Sequence, residues 1–349
     1  MHVGILTGGG DCPGLNAVIR AVTLALVGHG ARVTGIERGF HGLISRHSRP
    51  LAPADVNGIL AQGGTILGTH NACDPFHSDG TDRSGDAMAY AHHLGLDALV
   101  VIGGDGTMQI AHAFQRLGLP VVGVPKTIDN DLPGTDRTFG FDSAVAVVAE
   151  ALDRVATTAR SHGRVMIVET MGRYAGWIAL EGGMAGGADA ILLPELPFTV
   201  DAVAAFARAR EADHGWTLIC IAEGARADGE GLTVRERIAG SPDPLRLGGV
   251  GAWLQQRLEP MLKSEVRSTL LGHTQRGGTP TAFDRVLATR FGWHAAELVR
   301  AGSFGRMVAL QGDAIGSIAI ESIAGRSRPV PPDHPLLQAA RGTGVMLGR

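Results

Sequence analysis

Apolar residues along the chain come in short blocks that alternate with longer stretches of helical periodicity. Val3–Leu6, Ala31–Ile36, Ala98–Ile102, Val121–Val124, Val165–Val168, Thr217–Ile221 and Val266–Leu271 are four to six residues long and mostly apolar at odd and even positions alike. Strands covered on both faces have this pattern, and it belongs to parallel sheets. Between them, residues 141–161 place Val145, Val148, Leu152 and Val155 at spacings of three and four, one stripe of a helix. The alternation predicts repeated βαβ units and an α/β fold of the doubly wound kind. At about 150 residues per domain the 349 residues suggest two domains. No Pro-, Ser- or Gly-rich linker separates two halves, so the domains are expected to interleave.

Composition sharpens this picture at one point. Glycine supplies 51 of 349 residues, about twice the usual ~7%, without a repeating period. Such an excess implies tight turns and close backbone approaches, which loops that grip ligands require. The formal charge is −3, so no global field attracts nucleic acid or an anionic membrane. Cys12, Cys73 and Cys220 are far apart and form no CxxC pair, which argues against a disulfide framework or structural zinc and suits a reducing cytoplasm. No secretory signal and no run of 18 apolar residues is found, so no transmembrane helix is expected.

In open α/β sheets ligands bind beyond the carboxyl ends of the strands. Three of those ends carry unusual loops. Gly8–Gly14 follows the first strand and precedes a helix starting near Asn16, but Pro13 stands where a dinucleotide-type GxGxxG would need glycine. What remains is a glycine turn at a helix N-terminus, suited to phosphate. Gly103-Gly104-Asp105-Gly106-Thr107 lets backbone approach a polyphosphate while a carboxylate reaches a metal, and Mg²⁺ takes one or two carboxylates plus phosphate oxygens. Pro125-Lys126-Thr127-Ile128-Asp129-Asn130-Asp131 ends the next strand. A right-handed crossover puts those two strands in one sheet with their ends on one side, and acids at i and i+2 in an extended loop can face one site. The later half supplies cations: Arg164, Arg173, Arg267 and Arg276 stand beside strand ends or glycine turns, with His273 in the last of these loops. The planar fork of arginine suits phosphate.

These motifs resemble the 6-phosphofructokinase family. Gly8–Gly14, Gly39–Leu43, Gly63–Gly68, Gly103–Thr107, Pro125–Asp131, Met171–Trp177, Ala222–Glu223 and Leu271–Arg285 match in order, over about residues 3 to 310. The resemblance implies two interleaved doubly wound three-layer domains with mostly parallel sheets. A phosphoryl-donor and Mg²⁺ domain would span 1–140 with about 278–306, and a fructose 6-phosphate domain 141–277 with about 307–349. It also implies a glycolytic reaction in the cytoplasm, phosphoryl transfer to the 1-hydroxyl of fructose 6-phosphate, with Asp129 as general base and Asp105 as the Mg²⁺-associated acid. Gly10 would meet the transferring phosphate. Gly103, Gly104, Gly106, Thr107 and Lys126 would line the donor site. Thr127 and Asp131 would position sugar and phosphoryl group. Met171, Gly172, Arg173 and Glu223 would contact the sugar, and His273 and Arg276 the 6-phosphate. Arg164 and Arg267 would reach that phosphate from a neighbouring subunit, so a homodimer or homotetramer with shared sites is expected.

Two departures bear on the donor. Gly106 resembles members that use ATP, since it leaves room for the inner phosphate, whereas Lys126 resembles members that use pyrophosphate. The side-chain-free position weighs more, and ATP is the expected donor. Asn71 stands where many members carry an arginine that touches the transferring phosphate. Gly-Gly-Asp-Gly-Thr also occurs in NAD and diacylglycerol kinases, but the Pro125–Asp131 loop and the pair His273 and Arg276 argue against that class. A non-catalytic sugar-phosphate sensor would be expected to lose Asp129 or Asp105, and both are present.

Overall fold

The computed structural model describes residues 1–71, 73–77, 80–237 and 245–349. All seven expected strands form. In chain order the strands are β1 His2–Thr7, β2 Arg32–Ile36, β3 Ser48–Pro50, β4 Ala98–Gly103, β5 Val121–Pro125, β6 Val165–Thr170, β7 Ala190–Leu192, β8 Thr217–Ala222, β9 Val234–Arg237, β10 Leu245–Leu247, β11 Val266–Leu270, β12 Arg306–Gln311 and β13 Ala314–Ala319. Seven make a large sheet in the order β13-β12-β5-β4-β1-β2-β3, and four make a smaller one in the order β11-β6-β8-β7. The large sheet is parallel except at its two edges, where β3 and β13 run antiparallel to their neighbours. The smaller sheet is parallel throughout. This is the mostly parallel α/β architecture that the block pattern predicts, and it follows from strands such as β1, β4, β5, β6 and β8 being buried at every residue.

Helix Phe141–His162 buries Val148 and Leu152 of its predicted stripe and half-buries Val145 and Val155. Helices Leu15–Gly28 and Ala282–Arg300 pack on each other beside the large sheet. Residues 306–319 lie in the large sheet: β12 pairs in parallel with β5 at Arg306 and Met307, and the chain then turns back as β13. The chain meets the small sheet again only near its end, where Ile191 N–H donates to the Met346 carbonyl at 2.9 Å. Among the described residues no helix is long and apolar enough to cross a membrane.

Candidate active site

The carboxyl ends of β1, β4 and β5 lie side by side in the large sheet, so three loops converge there. The Gly8 N–H donates to the Ile102 carbonyl at 2.8 Å, joining the first turn to β4. Lys126 N–H donates to the Gly103 carbonyl at 2.9 Å, joining the second to the third. Gly103, Gly104 and buried Thr107 form the turn that seats Asp105 in the first turn of helix Asp105–Arg116, where the helix dipole favours a negative group. Beside it Gly106 is exposed, and a Cβ there would meet no atom within 4 Å.

Two cations close over the first turn. The buried Lys126 ammonium donates to the Gly10 carbonyl. Burial holds that ammonium below its ordinary value, with Arg276 reinforcing and Asp129 opposing the shift. Arg276 Nη1 donates to the Asp11 carbonyl at 3.2 Å. A Cβ on Gly10 would lie 2.8 Å from that nitrogen, so a side chain there would displace the guanidinium.

Asp129 and Asp131 are both buried, at 4% and 6% exposure. The turn that carries them is built locally. Thr127 Oγ1 accepts the Asp129 N–H at 3.0 Å, and Asn130 adopts a left-handed φ of 51° with its Oδ1 accepting the Thr138 N–H at 3.0 Å. Burial pushes the Asp131 carboxyl well above the usual carboxylate range, the charges of Asp129 and Asp105 add to this, and Arg173 opposes it. The three acids of two adjoining loops therefore form one electrostatic group. Asp129 Oδ1 is buried without a hydrogen-bond partner, an arrangement that native interiors rarely leave unexplained.

The small sheet closes the other side. After β6, Arg173 takes a left-handed φ of 53°, and its N–H donates to Glu223 Oε1 at 2.9 Å. Burial, with Asp129 among the neighbouring charges, pushes the Glu223 carboxyl up to about 7. Met171 N–H, one residue before Gly172, donates to Gln275 Oε1 at 3.3 Å. Gln275 is buried in the turn Gly272–Arg276, which presents His273 to solvent.

The structure thus gathers Gly10, Lys126, Arg276, Asp105, Asp129, Asp131, Arg173 and Glu223 around one cleft. Arg276 reaches the first glycine turn, and His273, three residues before it, is exposed. Arg164 and Arg267 are not at this cleft: they flank the amino ends of β6 and β11, where both pair with Glu265. Asn71 is exposed. Asn130 and Gln275 fell inside the motifs but carried no assigned role; their signal was a polar amide inside a glycine-bearing turn, where backbone donors need partners.

Comparison with known proteins agrees with this geometry. The family model described as Phosphofructokinase matches residues 2–299. The chain is 47% identical to the ATP-dependent 6-phosphofructokinase of Chloroflexus aurantiacus, covering 99% of this chain and 98% of that protein. It is 48% identical to the pyrophosphate–fructose 6-phosphate 1-phosphotransferase of Amycolatopsis methanolica, covering 96% and 97%. Phosphofructokinase of Pichia pastoris, solved in the T-state, superposes with a TM-score of 0.81 at 33% identity, over 93% of this chain and 35% of that larger one. Converging acids, a glycine-lined donor turn and a match running through nearly the whole length lead to one conclusion: the chain belongs to the phosphofructokinase family.

Proposed function

We propose that this protein transfers the terminal phosphoryl group of ATP to the 1-hydroxyl of fructose 6-phosphate, giving fructose 1,6-bisphosphate. The observation that carries the reading is Asp129 Oδ1, a buried acceptor without a partner, set between Asp131, Glu223 and Lys126. The sugar hydroxyl donates its hydrogen bond there. As the hydroxyl oxygen bonds to the terminal phosphorus, its proton passes to Asp129, and the phosphorus–oxygen bond to ADP breaks with its electron pair on the leaving phosphate. Such transfers offer little covalent chemistry, so alignment and charge do most of the catalysis. Lys126 holds the donor phosphates over Gly10; Thr127 and Asp131 orient the acceptor with Arg173, Met171, Gly172 and Glu223, and His273 and Arg276 take its 6-phosphate.

Among the described residues no cluster of three His, Cys, Asp or Glu side chains forms a metal cage. Mg²⁺ does not need one, since it takes one or two carboxylates and fills its remaining positions with water and phosphate oxygens. Asp105, with Asp131 nearby, fits that requirement: burial, and after it the charges of Asp129 and Asp105, raise the Asp131 carboxyl, and a divalent cation there would favour its charged form. Bound there, Mg²⁺ neutralises developing charge on the phosphates.

Open space at Gly106 favours ATP over pyrophosphate, because the inner phosphate and nucleoside need it. Lys126 favours the second reading, pyrophosphate as donor, since an ammonium on the first turn compensates a shorter donor. Arg164 and Arg267, far from this chain's own cleft, support a homodimer or homotetramer in which they complete the 6-phosphate site that a partner builds from its own His273 and Arg276. Cysteines that form no disulfide among the described residues suit the cytoplasm. Replacing the base tests the proposal: Asp129→Ser is expected to lower kcat by about 10³-fold with KM for fructose 6-phosphate within about twofold. An unchanged kcat removes Asp129 from its role.

A further inference from the structure

The segment after Ser322 carries no motif, yet its residues Arg328–Val330 run between the two loops that make the cleft. Arg328 N–H donates to the Asp131 carbonyl at 2.7 Å. Its Nη2 donates to the carbonyls of Asn130 at 2.8 Å and Asp136 at 3.2 Å. The same guanidinium stands 4.8 Å over the Trp177 ring, whose Nε1 donates back to the Arg328 carbonyl at 2.9 Å. Two residues on, Val330 N–H donates to Glu195 Oε1 at 2.8 Å, and that oxygen also accepts the Gly176 N–H at 2.9 Å. One short segment is therefore fastened to both ends of the turn 130–136 and to the exit of the loop that carries Arg173.

Asn130 and Arg173, one in each loop, hold left-handed backbone, a strained state that persists only where surroundings over-determine it. Arg328 supplies that determination for the first loop. A planar fork can engage two carbonyls and stack on an indole at once, which an ammonium cannot do. Its guanidinium faces backbone oxygens and a ring, not the cleft, so its effect on chemistry is indirect.

We propose that Arg328 is a positioning residue for phosphoryl transfer, holding the Asp129–Asp131 turn and the Met171–Gly176 loop in one register so that Asp129 reaches the acceptor hydroxyl. The inference rests on Asp129 as the base. A shift of about 1 Å in a reacting group costs on the order of 10² in rate, and that sets the expected effect.

The test uses the full-length enzyme with Mg²⁺ and saturating ATP, varying fructose 6-phosphate, in Arg328→Met, Arg328→Lys and Arg328→Ala, with Asp129→Ser in parallel. Expected are a fall in kcat of about 10²-fold for Arg328→Met and about tenfold for Arg328→Lys, with KM for the sugar phosphate within about twofold. Millimolar guanidinium should restore part of the kcat of Arg328→Ala, and methylammonium should not. Should Arg328→Met fail to fold, Arg328→Lys decides. Normal kcat in the folded Arg328 variants, or a raised KM with kcat unchanged, overturns the inference. A collapsed Asp129→Ser beside normal Arg328 variants removes this inference alone; a normal Asp129→Ser removes the base and this inference with it.

Discussion

The two ends of the small sheet are built from similar residues and behave in opposite ways. At the carboxyl ends of β6 and β8, Arg173 and Glu223 are drawn inward: the carboxylate is buried, accepts the Arg173 N–H and lies within electrostatic reach of Asp129. At the amino ends, Arg164 and Arg267 share Glu265 at the surface, with Arg267 48% exposed. The six residues of β6 separate these ends by roughly 20 Å at ~3.3 Å per residue. Exposed ion pairs are screened and contribute little, so the outer arginines are available to another anion, whereas the inner acid is fixed by burial. One end of the sheet thus holds a buried acid fixed by its hydrogen bonds, and the other a pair of exposed cations that an added anion can reach.

Arg267→Ala addresses the outer end and has the largest expected effect on that comparison. If Arg267 serves a partner's cleft, KM for fructose 6-phosphate rises by about 10- to 100-fold with kcat little changed, because a charge-assisted contact made in ground and transition states alike is lost. A loss confined to kcat, read from initial rates over a range of sugar phosphate, breaks the comparison.

Lys126→Gly tests the cation facing the inner end from the large sheet. Pyrophosphate activity should fall by about tenfold more than ATP activity, since the shorter donor depends more on a charge at the first turn. The reverse ratio contradicts the account of this lysine.

Glu223→Gln is the mildest. Burial raises the Glu223 carboxyl from 4.5 to about 7, so between those values the folded protein holds a proton that the unfolded chain has released. This group therefore makes stability fall as pH rises from about 4.5 through about 7. Removing the charge should raise the melting temperature of Glu223→Gln relative to the parent by several degrees at pH 8 and much less at pH 5, by calorimetry. No pH dependence of that difference would mean that the carboxylate is compensated.

Much of this was legible in the chain because buried parallel strands are continuous apolar blocks, and their neighbours' ends must share a side. That is how Asp105 could be placed with Asp129 and Asp131 before any coordinates. β13 escaped notice because its residues are at best half-buried and include Gly316, so it shows neither a continuous block nor clean alternation. The direction of Arg276 is a matter of rotamer and of its hydrogen bond to the Asp11 carbonyl. Arg328 bonds a carbonyl 198 residues away, a pairing that no local period encodes.

The most direct measurement of the central claim is fructose 1,6-bisphosphate formation by the purified protein with Mg²⁺ and fructose 6-phosphate, supplied with ATP or pyrophosphate side by side. The account predicts turnover with ATP and a higher kcat/KM for ATP than for pyrophosphate. Product from neither donor would contradict it.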